Sequence, residues 1–398
     1  MTQVRVLGLV ALGALLSGLT ACGGGDSADT ALQAGEVPAG NSLGAAPSGP
    51  ASGGDVLVDA PARGTATGES ASADGLAVGP ALAPADPDAP RADPAPRPEP
   101  DPVTPGTLTA GAWDDNRNIT RFLDYRKRLH DQQMSGLLDF APAEHTAAQV
   151  RTQPAAHSTL DISLVIDTTG SMGDELSYLQ SEFTAISSAI EAKYPAAEQR
   201  WSLVVYRDRG DDYTTRPFDF ESDPQQFRQR LLQQTPGGGG DFPEAPDAAF
   251  ADMNQFSWRA DPATARLAFW VADAPHHDDK AGALKSAIET AQAQGVHIYP
   301  VASSGVDELT ELTMRSAAQL TGGRYLFLTD DSGVGGAHKE PSIPCYFVTK
   351  LDDAILRMVD IEMSGVYREP SAAEVIRTGG DPQNGACELE SGQTVYVF

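Results

Sequence analysis

The sequence predicts an α/β fold: a doubly wound, mostly parallel sheet with helices on both faces, preceded by a signal peptide and a long disordered linker. Three observations lead there. Between about residues 158 and 368, short apolar runs alternate with stretches of helical period. Strands alternating with helices of that length call for right-handed crossovers, and hence for parallel strands covered on both sides. Ahead of this region lies chain too poor in aromatic and large aliphatic residues to build a core.

The elements follow in order. Leu160 to Ile166 reads as a strand, buried on both faces from Leu164 onward. Leu176, Leu179, Phe183, Ile186 and Ile190 recur at helical spacing and place a helix over 174–193. Trp201 to Tyr206 is the next strand, with Thr215 to Phe220 as its hairpin partner. Ser222-Asp223-Pro224 joins a capping residue to a first-turn proline and opens a helix to Gln234. Further helices are expected over 246–256, 280–294, 309–320 and 351–363. Strands are expected over 265–272, 297–302 and 325–328, and Val395 to Phe398 as a short terminal one. Gly295 and Gly322-Gly323 stop the helices they follow.

Before this domain the chain divides into three. Residues 1–21 have a basic start, an apolar run from Val6 to Leu19 and small residues at the end, the pattern of a secretory signal peptide. The run is too short to span a bilayer comfortably. Leu19-Thr20-Ala21-Cys22 resembles the bacterial lipobox, which implies cleavage before Cys22, lipidation of that cysteine, and an acyl anchor that does not span the membrane. Gly23 follows the cysteine where an aspartate favours inner-membrane retention in some Gram-negative bacteria, so the resemblance points to the outer membrane. Residues 22–107 read as a disordered Ala/Gly/Pro/Asp-rich tether, extended where Pro and acidic residues concentrate between Ala83 and Pro105. Residues 108–157 form a short helical lead-in, with Ile119, Phe122, Leu123 and Leu129 on the face of one amphipathic helix that docks on the main domain. The domain proper covers 158–368, and 369–398 is a C-terminal extension.

Charge excludes some functions. With 28 Lys+Arg against 55 Asp+Glu, the net charge of −27 leaves no surplus of cations to hold a phosphate backbone. It also argues against docking on anionic lipid through a basic patch.

Chemistry is expected beyond the carboxyl ends of the strands, where doubly wound folds bind ligands. Three loops meet that description. The first strand ends in Asp167-Thr168-Thr169-Gly170-Ser171, whose carboxylate and two hydroxyls can converge on a hard cation. Taken singly, Thr169 or Ser171 reads better as a helix cap. The second loop, Thr235 to Glu244, carries four glycines and then Asp241 and Glu244 at a helix start, where acidic capping is the alternative. The third follows the apolar strand and places Asp273 at its end, a costly position unless the carboxylate is paired or ligating.

Together these loops resemble the metal-ion-dependent adhesion site of the von Willebrand factor type A domain family. Asp167, Thr169 and Ser171 match its Asp-x-Ser/Thr-x-Ser motif and Asp273 its third-loop aspartate. The second loop departs from the commonest version, in which a threonine follows the glycines. It is closer to the I-like domain of integrin β subunits. That similarity implies that Glu244 ligates or borders the principal metal and that Asp241 serves a neighbouring calcium site. The implied activity is binding by metal bridging: a partner protein's Asp or Glu replaces a metal-bound water, and no bond chemistry is needed. Mg²⁺ suits such a site best, with Ca²⁺ or Mn²⁺ as alternatives. The implied protein is a membrane-anchored binding module rather than an enzyme; a scaffold or sensing component of an envelope complex, with an incidental metal, is the alternative.

Other features take plainer readings. Arg209-Gly210-Asp211 reads as a chance string in a charged turn beside the metal face. His276-His277-Asp278-Asp279 reads as a solvated loop that caps the next helix, rather than as a second metal site. Cys345 and Cys387 either pair, pinning the tail from about Ser371, or stay free; an exported chain favours pairing. A hydrolase built on Ser171 with His276 or His277 lacks the Gly-x-Ser-x-Gly elbow.

Overall fold

The computed structural model describes residues 105–143 and 157–398. The signal peptide, Cys22 and nearly all of the tether lie outside the described residues. Among those described, no helix is long and apolar enough to cross a membrane.

The element order starts with β1 (Thr109–Trp113) and α1 (Ile119–Asp131), then β2 (Thr159–Asp167) and α2 (Gly173–Lys193). A hairpin of β3 (Glu198–Tyr206) and β4 (Thr215–Glu221) leads to α3 (Pro224–Leu232) and α4 (Pro246–Met253). The second half runs β5 (Thr264–Ala272), α5 (Ala281–Ala293), β6 (His297–Ala302), α6 (Glu308–Thr321), β7 (Tyr325–Leu328), β8 (Tyr346–Lys350) and α7 (Leu351–Ser364). Short strands β9 (Arg377–Gly379), β10 (Ala386–Glu388) and β11 (Thr394–Tyr396) close the chain.

Nine strands form one sheet in the order β4-β3-β2-β5-β6-β7-β1-β8-β9. The central strands β3, β2, β5, β6 and β7 are parallel, as the alternation of elements predicts. Side chains alternate across the sheet and build two cores. Leu267, Phe269 and Val271 of β5 face Leu176, Phe183 and Met358 on α2 and α7, whereas Ala268, Trp270 and Ala272 face Phe250, Leu284 and Met314 on α4, α5 and α6. Fully burying each large apolar side chain contributes roughly 1.5–3 kcal/mol.

Local chemistry fixes the ends of the elements. Asp223 caps α3 by accepting from the Gln225 amide at 2.9 Å, with Pro224 in the first turn. Asp307 does the same for α6 through Thr310 at 2.7 Å. Gly322 ends α6 at φ +82°, and the next glycine has no room for a side chain, because a Cβ on Gly323 would lie 1.8 Å from the Ile298 carbonyl oxygen.

The lead-in differs from the expectation. It begins with a strand, β1, inserted antiparallel between β7 and β8, so the sheet reaches beyond 158–368 at both ends. Thr-Ala-Gly-Ala-Trp has weak strand propensity, and its glycine is there for space: a Cβ on Gly111 would lie 2.2 Å from the Phe327 ring. The amphipathic helix exists, but its buried stripe is Phe122, Tyr125 and Leu129, packed on Leu312, while Leu123 is exposed. Its approach is secured by buried charge. Arg315 of α6 makes a two-point ion pair with Asp115 and a third bond to Glu311, and Arg324 pairs with Asp114. At the other end, Cys345 and Cys387 are bonded and tie the β10–β11 hairpin to the start of β8. The terminal strand is Thr394–Tyr396 rather than Val395–Phe398; Val397 and Phe398 are buried beyond it.

Candidate metal centre at the carboxyl ends of the central strands

Strands β2 and β5 are parallel neighbours, so the loops that leave them emerge side by side. Asp167, the last residue of β2, is fully buried, and Asp273, just beyond β5, nearly so. The second loop is stitched to both. Gly237 donates to the Thr168 carbonyl at 3.0 Å and Gly170 to that of Gly238 at 3.3 Å, while Glu244 donates to Pro275 at 2.8 Å and bridges to His276. Gly239, at φ +76°, passes so close that a Cβ there would lie 3.1 Å from Thr169 and 3.2 Å from the Glu244 carboxylate.

Within the first loop, Asp167 Oδ1 accepts from the Thr169 amide at 2.9 Å and from its hydroxyl at 2.8 Å. The Thr169 and Ser171 hydroxyls lie 3.3 Å apart. Ser171, Asp241, Glu244 and Asp273 line one open cleft of about 570 Å³. The structure thus brings the three loops together, with Asp167 and Thr169 buried beneath the cleft and Asp241 on its exposed rim.

Electrostatics single out three carboxylates. Burial, then repulsion from Asp273, pushes Asp167 up to about 7. Burial, then Asp167, Asp208, Asp211 and Asp273, pushes Glu244 up to about 9. Burial also raises Asp273, against a hydrogen bond from Ser171. Asp167 Oδ2, Glu244 Oε2 and Asp273 Oδ1 are buried without a hydrogen-bond partner, and among the described residues none of the three carboxylates has an ion-pair partner. Unpaired buried carboxylates are costly, and the cost disappears if they hold protons or share a cation.

Among the described residues, no three His, Cys, Asp or Glu side chains converge into a ready-made metal cage. A Mg²⁺-type site needs none, because that ion keeps several waters and accepts one or two carboxylates together with hydroxyls. Asp167, Thr169 and Ser171, with Asp273 and Glu244 nearby, have the donor chemistry such an ion takes.

The surrounding residues are mostly occupied. Arg207 straps the first two loops, donating to the carbonyls of Thr168 at 3.1 Å and Thr235 at 2.8 Å. Arg209 pairs with Asp247 at 2.6 Å, and Asp211 accepts from the amides of Asp208 and Gly239, so the Arg-Gly-Asp string is engaged within the fold. Glu175, at the start of α2, accepts from the Ser304 hydroxyl and amide. The His276 loop is less solvated than expected. His276 is buried and bonds the Gly136 carbonyl of the lead-in at 2.8 Å, and His277 bonds Asp208 at 2.6 Å. Asp278–Lys280 forms a single 3-10 turn leading into α5. Each of these hydrogen bonds takes the histidine's Nε2 to a partner other than Ser171. Sequence reading passed over the Arg207 strap, though the charged run Arg207 to Asp212 was its signal.

Residues 161–333 match the family described as von Willebrand factor A domain. Human von Willebrand factor A domain-containing protein 7 is 32% identical over 135 residues, covering 32% of this chain and 12% of that protein. The Dictyostelium discoideum alpha-protein kinase vwkA is 26% identical over 124 residues, 31% of this chain and 19% of that one. The matched stretches thus span a small part of those relatives' own length. Among solved structures, a conserved hypothetical protein BatB from Bacteroides thetaiotaomicron aligns with a TM-score of 0.31 at 12% identity, covering 42% of this chain and 89% of that one. An aerotolerance-related membrane protein from Bacteroides fragilis aligns with the same TM-score at 14% identity, covering 44% of this chain and 94% of that one.

Proposed function

From the premise that residues 161–333 are a von Willebrand factor A domain, a module that generally mediates protein–protein interaction, we propose that this chain binds a partner protein through a divalent cation held by Asp167, Thr169 and Ser171. One observation carries the reading: Glu244 and Asp273 line the cleft and Asp167 is buried beneath it, each carboxylate with an oxygen left without a partner. When bound, the cation supplies a Lewis-acidic position that a partner's carboxylate fills. The chain's residues set that position up. Thr169 fixes the Asp167 carboxylate by two hydrogen bonds and leaves its second oxygen free, Ser171 offers a hydroxyl at the exposed edge, and Gly239 brings the second loop against Thr169. Mg²⁺ is the preferred ion, with Ca²⁺ or Mn²⁺ as alternatives. Binding needs no bond to be made or broken, so the protein is not an enzyme on this reading.

We further propose that Cys22 carries the lipid anchor and holds the domain at the bacterial cell envelope, at the outer membrane in preference to the inner; the support is the Leu19–Cys22 pattern alone. Labelled palmitate incorporated into the native chain and not into Cys22→Ser is the expected result, and equal labelling would remove the anchor.

The binding reading is tested by affinity capture from envelope extracts in Mg²⁺ or chelator. Partners captured by the native chain in Mg²⁺ are expected to be lost in chelator and in Asp167→Ala. Identical partner sets in all three would favour the scaffold with an incidental metal.

A further inference from the structure

The opposite end of the sheet holds a second cleft, also of about 570 Å³. Phe256 and Trp258, on the segment that enters β5, form one wall with Arg259 and Arg266; Ala293 and Gly295, where α5 ends, form the other. Arg266 is the third residue of β5 and Asp273 follows its last, so about 23 Å of strand, at ~3.3 Å per residue, separates this cleft from the metal centre. Among the described residues no carboxylate lines it, in a chain where 55 Asp+Glu outnumber 28 Lys+Arg.

The cations here are only partly matched. One fully buried carboxylate, Asp161, is shared by two guanidiniums, accepting from Arg200 at 2.7 Å and Arg259 at 2.8 Å. Glu198 stands 3.7 Å from Arg259 and is itself exposed. Arg266 has no ion-pair partner among the described residues; its Nε donates to the Arg259 carbonyl and its Nη2 to that of Asp261 at 2.9 Å. A guanidinium carries five N–H donors, so three of those on Arg266, both on Nη1 among them, are left to a ligand. Gly295 keeps them open, because it ends α5 at φ +70° and a Cβ there would lie 3.2 Å from Nη1. Beside these donors stands a fixed aromatic wall. The half-buried Trp258 donates from Nε1 to the Met253 carbonyl at 3.0 Å, and its ring meets Phe220 edge to face at 4.7 Å between centroids. A ring held at two points loses little freedom when a ligand packs on it.

We propose that this cleft binds a small organic oxyanion, a carboxylate or phosphate ester carried on a flat apolar group. Arg266 takes the oxyanion through its free N–H groups, and Trp258 with Phe256 takes the flat group. A bare anion leaves the aromatic wall unused, and a neutral ring leaves the donors unmatched, so the cleft selects ligands that join the two. The site is independent of the metal-binding reading above.

Tryptophan fluorescence of the whole chain tests it. Trp113, Trp201 and Trp270 are almost fully buried, so quenching by acrylamide reports chiefly on Trp258. At fixed ionic strength, phenyl phosphate and benzoate are expected to protect that fluorescence saturably, and the tighter of the two names the oxyanion. Inorganic phosphate and benzyl alcohol should each bind at least about tenfold more weakly than the aromatic anions, and Arg266→Gln should lose at least about tenfold in affinity for them. Because Arg266 also ties two backbone carbonyls, Ala293→Glu decides the matter where that variant does not fold. It sets a negative charge at an exposed position on the cleft wall and should lose binding to the same extent, while Ala293→Gln stays within about threefold of the native chain. Absence of protection by both aromatic anions, or unchanged protection in Ala293→Glu, would overturn the inference. Benzyl alcohol binding as tightly as benzoate would overturn it too, since the cleft would then be apolar only.

Discussion

Asp167→Asn should stabilise the metal-free protein and abolish its response to Mg²⁺. Asp167 is held at about 7 by burial and by Asp273, against about 3.9 in an unfolded chain. A carboxyl raised in the fold contributes stability that is complete below about pH 4 and is lost as pH rises through about 7. At pH 8 the native state therefore carries the cost of an ionised Asp167, about 3 pKa units or ~4 kcal/mol. Asparagine cannot ionise and keeps the Oδ1 acceptor for both Thr169 bonds, but it places an amide donor where Oδ2 already lacks a partner. That mismatch takes back about 1–3 kcal/mol and leaves a net gain of roughly 1–3 kcal/mol. In saturating Mg²⁺ the native chain gains about 2.7 kcal/mol at a hundredfold excess over Kd, and the variant gains nothing. Thermal denaturation followed by near-ultraviolet circular dichroism at pH 8, in chelator and in Mg²⁺, should show the variant's lead over the native chain shrink by about 2.7 kcal/mol, with the order reversing where that lead is smaller. A variant less stable than the native chain in chelator, or an equal Mg²⁺ response in both, would refute the reasoning.

Two further outcomes test the fold away from the site. Replacing Cys345 and Cys387 by Ala should cost about 4 kcal/mol, the loop-closure value for a separation of 42 residues, and should loosen the β10–β11 hairpin in hydrogen exchange before the central sheet. Glu362, buried in α7, is held at about 2, because the charge of His297 and hydrogen bonds from His297 and Tyr299 outweigh its burial. Its stabilisation is complete above about pH 4.5 and is lost as pH falls towards 2, so Glu362→Gln should flatten the acid limb of the stability curve, measured by urea denaturation between those values; a parallel limb would refute the assignment.

The parallel sheet was legible because strands such as Leu-Ala-Phe-Trp-Val must be apolar on both faces, and few other elements leave that signature. The first metal loop was legible because carboxylate and hydroxyls lie within five consecutive residues, Asp167 to Ser171. Strand β1 was hidden, since Thr109–Trp113 is chosen for the space beside Phe327 and not for strand propensity. The buried pairs Asp115–Arg315 and Asp114–Arg324 were hidden too: residues about 200 apart in sequence look like ordinary surface charge until the fold joins them. The Arg207 strap escaped for a different reason: the charged run Arg207 to Asp212 marks a polar turn, but the acceptors are backbone carbonyls, which no residue type announces.

Glycine placement in the second loop gives the sharpest test of whether the cleft is built for an ion. Gly239 and Gly240 are neighbours with opposite constraints. At Gly239 the backbone lies at φ +76°, and a Cβ would press on Thr169 at 3.1 Å and on the Glu244 carboxylate at 3.2 Å; at Gly240 a Cβ meets nothing within 4 Å. Gly240→Ala should therefore leave stability within about 0.5 kcal/mol of native and the Mg²⁺ response intact. Gly239→Ala adds the left-handed backbone penalty of roughly 1–2 kcal/mol and displaces two of the groups that set the site. The sheet core is remote from this loop, so cooperative unfolding in chelator should persist with only that modest loss, while the Mg²⁺-dependent gain should shrink at least tenfold in apparent affinity, about 1.4 kcal/mol. Melting curves of both variants across a Mg²⁺ series decide the matter. If both alanines respond to Mg²⁺ as the native chain does, Thr169 and Glu244 are not shaping the ion's site, and the convergence of the three loops is a feature of packing alone.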